Sequence, residues 1–348
     1  MRRPHTPFSI ILIFVIVFAV MVSASPLAAP SDPMDPLLQE TLPPSTQEST
    51  SSVETTAPSE SEPAPSETVS IPTTTTPSGF DFSAINATSA FIYDCRTDRL
   101  QSNVQDLNAK LYPASITKLF SVYVAMQYLD SGAEVTVGSI LKTVPADSST
   151  ALLSIGNRLT VEALYYGMLL PSGNDAARVI AVAAGKVIDG TTNKSETDYM
   201  SIFVEEMNRQ AAYVGFVNSH FVTPDGYHDE DHYMCLADMV TLGKLCIDNP
   251  VIMRISSTAI YTAKVSGKPD GLLWLNSNKM LHPKRYTPSY YCAAALGLKT
   301  GYTDDAGSCL LAAFSVEDGC VLIGVFGGKE RDDRYIDAMT IFENFQKS

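Results

Sequence analysis

Ser115 and Lys118 stand three residues apart at the head of an apolar segment that runs from Ile116 to Met126. Residues i and i+3 of a helix share a face, with Cβ atoms about 5 to 6 Å apart, so the hydroxyl and the amine can meet. A serine hydroxyl is a weak nucleophile until a base takes its proton. Lysine can be that base only when neutral, which requires burial or a neighbouring cation to lower its pKa. Leu119, Phe120 and Val122 supply the burial, and Lys299 is a candidate for the cation. Alone the pair is a weak signal, because a chain of this length holds about one or two such spacings by chance. A second copy exists, Ser139 and Lys142. It lies among Val135, Val137, Gly138 and Val144, a pattern that reads as strand or extended loop and turns the two side chains to opposite faces.

Two further strings sharpen the reading. Ser172-Gly173-Asn174 falls in the turn between two predicted helices, and Lys299-Thr300-Gly301 ends a predicted strand. A lysine and a threonine hydroxyl suit a terminal carboxylate. A glycine beside them lets a substrate backbone approach. Other chemistry fits less well. His220, His228, Asp231 and His232 have metal-ligand side chains, but Pro224 and Gly226 break any helix that would align them. A Ser/His/Asp triad lacks its GxSxG elbow. Neither a metal nor a cofactor is expected.

Taken together, Pro113 to Lys118, Ser172 to Ala176 and Lys299 to Gly307 resemble the three motifs of serine-type D-alanyl-D-alanine carboxypeptidases, the low-molecular-weight penicillin-binding proteins. Asn218 to His228 is similar to a further stretch common in that family. The likeness covers about residues 85–345. It implies the penicillin-recognising serine fold: α+β, a five-stranded antiparallel sheet covered by helices, beside a helical subdomain. It also implies an acyl-enzyme on Ser115, with Lys118 as base and Ser172 relaying a proton to the leaving amine. Asn174 would hold Lys118 and the substrate amide, and Lys299 and Thr300 would bind a carboxylate next to Gly301. The backbone N–H groups of Ser115 and Tyr302 would form the oxyanion hole. The implied partners are peptidoglycan stem peptides and β-lactam antibiotics. Two alternatives stay open: a β-lactamase of the same fold, which needs a second base to deacylate, and a penicillin-binding sensor whose serine acylates without turnover.

The elements that would position these residues can be read from pattern. Ala90 to Tyr93 and a short run near Leu100 predict a hairpin. The segment from Ile116, almost without a polar face, predicts a central helix ending before Gly132. Thr160 caps a predicted helix that stops at Pro171, a second runs from Asn174 to Gly185, Ser195 caps a third, and Leu236 to Ile247 predicts a fourth before Asn249-Pro250. Ala259 to Val265, Ala294 to Lys299, Ser308 to Val316 and Val321 to Gly327 predict strands, and Asp332 to Phe345 a closing amphipathic helix. Strands at both ends with helices between give an α+β arrangement.

Composition bounds the rest. The formal charge of −14 argues against nucleic acid, whose binding needs a cationic face. Residues 25–79 carry eleven of the 21 prolines, eight carboxylates and no Lys or Arg. That stretch cannot bury enough apolar surface to offset its entropy and is expected to be a disordered stalk. Ahead of it, Arg2 and Arg3, the apolar run Phe8 to Val22 and Val22-Ser23-Ala24 match a secretory signal. An apolar run of about 15 residues is short for a permanent anchor, so cleavage is expected and the membrane would be a partner only through an uncleaved segment. The folded domain, residues 80–348, would therefore be exported. Six cysteines in an exported chain permit disulfides, but their apolar neighbours predict mostly buried free thiols, and no connectivity is readable.

Overall fold

The computed structural model describes residues 81–283 and 290–347. The expected signal and stalk lie outside the described residues. The chain opens with the predicted hairpin, β1 (Ser89–Asp94) and β2 (Arg99–Ser102). A single 3-10 turn, Ala114–Ile116, leads into α1 (Thr117–Ala125). A small ribbon of β3 (Glu134–Thr136) and β4 (Arg158–Thr160) precedes α2 (Val161–Leu169). Thr160 caps α2 as expected, its side chain accepting from the Ala163 N–H. Next come α3 (Asn174–Asp189) and α4 (Glu196–Tyr213). Ser195 and Asp198 form a reciprocal capping box on α4, satisfying two otherwise orphaned donors.

The second half begins with α5 (Leu236–Ile247) and α6 (Pro250–Ser256). A ribbon of β5 (Ile260–Val265) and β6 (Lys268–Leu275) follows. The long strands β7 (Ala295–Thr303), β8 (Gly307–Val316) and β9 (Gly319–Gly328) and the helix α7 (Asp333–Lys347) complete the fold. The main sheet has the order β2-β1-β9-β8-β7 with every neighbour antiparallel. The α+β class is thus as the pattern predicts, and the five-stranded antiparallel sheet is as the resemblance implies.

Alternation along the strands divides the apolar residues between two cores. Ile92, Phe314, Ile323 and Val325 pack beneath Tyr335, Ala338, Ile341 and Phe342 of α7, where Phe314 and Phe342 stack at 4.6 Å. Phe91, Tyr93, Leu311 and Leu322 face the opposite way, onto the larger core that holds α1 to α5. Within that core α1 is buried on nearly every side, which is why its sequence shows almost no polar face.

Two expectations need correction. Ser139 and Lys142 lie on a 3-10 helix, Ser139–Thr143, rather than in extended chain. The Ser139 hydroxyl donates to Glu196 at 2.8 Å, tying this turn to the start of α4. Asn249-Pro250 starts a helix as well as ending one: the Asn249 side chain accepts from the Val251 and Ile252 N–H groups, with proline at the first helical position. Lys268-Pro269-Asp270-Gly271, over which the sequence pattern predicts no element, opens β6. Of the six cysteines, all free, only Cys235, Cys246 and Cys309 are buried.

Candidate active site

Ser115 sits in the 3-10 turn before α1, and Lys118 in the first turn of that helix. Ala114, immediately before the serine, has φ +48°, so the chain enters the turn through the left-handed region. The Lys118 Nζ donates to Ser115 Oγ at 2.7 Å and to the Asp225 carbonyl at 2.7 Å. Its side chain is fully buried. Burial pushes the Lys118 pKa down to about 8; the charges of Asp225 and Asp175 oppose that fall and Arg178 assists it. A lysine with such a pKa is neutral often enough near neutral pH to accept the serine proton.

The second support of this pair lies 107 residues away in sequence. The Asp225 carboxylate is fully buried and pairs with the Arg178 Nε at 2.7 Å. Burial pushes its pKa up, but Lys118 and Arg178 outweigh this and hold it below the ordinary carboxylate value. Arg178 also donates to Thr143, binding α3 to the 3-10 helix of Ser139–Thr143. Next to Asp225, Gly226 has φ +75°, and a Cβ there would lie 1.9 Å from the Ala114 carbonyl oxygen. His232 holds the same turn from behind. Its Nδ1 accepts from the Val222 and Thr223 N–H groups, which leaves Nε2 to donate to Thr117 Oγ1 at 2.9 Å. Burial drives the His232 pKa down to about 4, so the ring is neutral. Both its nitrogens are engaged in positioning the turn that carries Ser115.

Ser172 is in the left-handed region, at φ +65°, in the turn between α2 and α3. No hydrogen bond from its side chain is found among the described residues. Asn174 opens α3, and its Nδ2 donates to Ser148 Oγ at 3.0 Å while its N–H donates to the Ser149 carbonyl. The expected contact between Asn174 and Lys118 is not made; Lys118 rests on the Asp225 carbonyl instead. Asp175 accepts from the Ala151 and Leu153 N–H groups, so this one turn also fixes the loop after residue 147 that forms a wall of the cleft.

The opposite wall is β7, an edge strand of the sheet. Lys299 is fully buried; its Nζ donates to the Thr300 carbonyl at 3.0 Å and to Ser277 Oγ at 3.4 Å. Burial, then the charges of Lys118 and Arg334, push its pKa well down. Thr300 and Ser277 hydroxyls bond at 2.7 Å. A Cβ on Gly301 would lie 2.9 Å from the Pro113 carbonyl oxygen and 3.1 Å from the Ala114 Cβ. The glycine is therefore needed first for the approach of the Ser115 segment to β7, a reason within the fold rather than in the substrate. Tyr302 lies beside it, its hydroxyl donating to Asp304 and its ring 3.8 Å beneath the Arg331 guanidinium.

Sequence reasoning did not single out Arg334 or Ser277. Arg334, at the start of α7, donates from Nη1 to the Gly301 and Cys309 carbonyls and from Nε to Arg331. It is largely buried and makes no ion pair among the described residues. A patterned KTG string announces itself; a lone arginine some thirty residues beyond it does not.

Ser115, Ser172, Asn174, Thr300, Gly301 and Tyr302 line one cleft of about 680 Å³. Lys118 and Lys299 lie buried behind its surface. All eight predicted residues are thus at or just under one cavity. Among the described residues, three of the six non-glycine residues with positive φ, Ala114, Ser172 and Leu298, lie in or beside the three motifs. Backbone held in such regions is maintained by surrounding structure and concentrates at sites that must present groups in fixed positions. The result is an activated hydroxyl with a set of cations, Lys299 and Arg334, placed for an anionic group.

The structure is similar to the DD-transpeptidase of Streptomyces K15, with a TM-score of 0.66 at 25% identity, over 76% of this chain and 98% of that one. That likeness places the fold among the penicillin-binding DD-peptidases and fits the sheet and helices described above. A family model for D-alanyl-D-alanine carboxypeptidase matches residues 73–330, and the chain belongs to that family. Among curated relatives, DacF of Bacillus subtilis, a D-alanyl-D-alanine carboxypeptidase, is 29% identical over 72% of this chain. The chain spans 60% of that relative's length. A D-alanyl-D-alanine carboxypeptidase of Streptomyces sp. K15 is also 29% identical, over 60% of this chain and 70% of its own.

Proposed function

We propose that the protein is a serine D,D-carboxypeptidase that removes the terminal D-alanine from peptidoglycan stem peptides. The observation that carries this reading is the 2.7 Å contact between Ser115 Oγ and a fully buried Lys118, opening onto a cleft backed by Lys299 and Arg334. An extended peptide would lie along the open edge of β7, adding to the sheet as edge strands permit. Its terminal carboxylate would be met by Thr300, with Lys299 and Arg334 supplying charge from behind.

Neutral Lys118 takes the Ser115 proton as Oγ attacks the carbonyl carbon of the penultimate residue. The oxyanion is held by the backbone N–H groups of Ser115 and Tyr302, donors of a kind each worth about 2.7 to 4 kcal/mol at a transition state. The peptide C–N bond breaks, and the amine of the departing D-alanine receives a proton through Ser172. Water then attacks the Ser115 ester, releasing the shortened peptide and restoring the hydroxyl. A β-lactam would acylate the same oxygen while its leaving nitrogen stays tethered. Among the described residues the carboxylates lining the cleft are the aspartates Asp147, Asp225, Asp304, Asp305 and Asp332, and no glutamate is among them.

The reading includes the exported location: residues 1–24 act as a secretory signal and 25–79 as a polar spacer, with catalysis outside the cytoplasm. No helix among the described residues is long and apolar enough to cross a membrane. Incubation with purified muropeptides tests the activity. Conversion of pentapeptide stems to tetrapeptides with free D-alanine is expected; unchanged pentapeptides would rule it out, and dimeric products would mark a transpeptidase instead.

A further inference from the structure

Cys95 and Cys320 lie 225 positions apart in sequence but opposite one another in the sheet. The register of β1 on β9 ends at Asp94 facing Val321. One step further, the Cys95 N–H donates to the Cys320 carbonyl at 3.2 Å, so the two cysteines form the next rung. Opposite residues of an antiparallel ladder project to the same side. Cys95 packs against the larger core with Phe91 and Tyr93, and Leu322 and Phe326 assign Cys320 to that same face. A hydrogen-bonded rung sets its Cα atoms about 5.5 Å apart. That falls within the range of about 4.4 to 6.8 Å that a disulfide spans.

The other cysteines have no such arrangement. Cys235, Cys246 and Cys309 are buried, and Cys292 packs with the core on the other side of the sheet. Cys95 and Cys320 are only partly buried, beside the turn at Thr97 and the hairpin at Gly319 that end their strands. Strand ends can yield by the small amount the bond requires.

We propose that Cys95 and Cys320 form a reversible disulfide that staples the first strand of the domain to β9. A hydrogen bond between the Cys95 and Cys320 thiols lowers the Cys320 pKa, against burial and the charges of Asp248 and Asp94. Cys95 is pushed the other way, first by that hydrogen bond and by burial, with Lys244 on α5 opposing. Cys320 is therefore the attacking thiolate. With a low-molecular-weight disulfide as oxidant, Cys320 attacks one of its sulfurs and expels a first thiol, leaving a mixed disulfide. Cys95 then loses its proton, attacks the Cys320 sulfur and expels the second thiol. Two protein thiols are oxidised and one small disulfide is reduced to two thiols. The bond closes a loop of more than two hundred residues, the case in which restricting the unfolded chain has the largest effect.

The full chain, equilibrated with oxidised glutathione, is digested without reduction and mapped by mass spectrometry, alongside a thermal melt. The expected result is a peptide joining Cys95 to Cys320, four remaining thiols and a melting temperature higher by about 5 °C or more than the reduced protein's. Cys95→Ser and Cys320→Ser should each abolish the rise. Six surviving thiols, glutathione retained on Cys320, a link between other cysteines, or a link without a rise would each overturn the proposal. Mapping of the unsubstituted chain decides the linkage even where a variant does not fold, and no readout depends on peptidase activity.

Discussion

On the proposed mechanism Lys118 has to be both buried and neutral for Ser115 to act, and its surroundings set the pH at which that is so. With a pKa of about 8, the neutral fraction grows tenfold per pH unit below that value and levels off above it. The second-order rate of Ser115 acylation by penicillin should follow, with an ascending limb near pH 8. Lys118→Arg keeps a positive charge but cannot become neutral in this range, and should lower that rate by about a thousandfold or more. Ser139→Ala should leave the rate unchanged, because that hydroxyl only anchors a turn to Glu196. His232 provides a stability prediction at the same scale. Unfolded, it binds a proton near its ordinary value of 6.5; folded, only near 4. In that window the unfolded state binds more protons, so stability is lost as pH falls. Two and a half units correspond to about 3 kcal/mol. Urea titrations at pH 7 and 4.5 should show most of that loss, and His232→Asn should flatten the slope.

At the scale of elements, the motifs on α1, the turn between α2 and α3, and strand β7 were each legible because each is a short string with its own chemistry. What joins them was not. Asp225 reaches Lys118 across 107 positions, and Arg334 reaches Gly301 across 33, contacts that no local pattern encodes. The contact of Asn174 with Ser148 was not legible for the same reason: Ser148 lies on a loop whose path depends on Asp175. Helix α6 was missed where Asn249-Pro250 was read as a stop, although proline also begins helices. The glycine at 301 yields a further prediction. Gly301→Ala places a Cβ against Pro113 and Ala114, and backbone there cannot swing aside. Acylation should drop about 10- to 100-fold through displacement of Ser115, a change separable from unfolding by a melt that stays cooperative.

At the scale of the molecule, the sheet has two covered faces, and the last helix both covers one and completes the cleft. Phe342 of α7 stacks on Phe314, whereas Arg334, two turns earlier, donates to the Gly301 carbonyl. Stability and binding can therefore be separated within one element. Phe342→Ala should cost about 3 to 5 kcal/mol in chemical denaturation, as for other large buried aromatics. Arg334→Gln should cost little stability by comparison and raise KM for a peptide ending in a free carboxylate by about tenfold or more. The fold class and the division between a helical body and a terminal sheet were readable from strand and helix patterns at the two ends of the chain. The strand order was not, because pairing β1 with β9 is a long-range choice made by packing.

The most direct test is a time course with diacetyl-Lys-D-Ala-D-Ala, following free D-alanine and the mass of the protein together. Many equivalents of D-alanine should appear per protein, with an acyl group found on Ser115 when the reaction is quenched early, and both should vanish in Ser115→Ala. Absence of D-alanine from a protein whose Ser115 is still acylated by penicillin would contradict a carboxypeptidase and leave a binding module in its place.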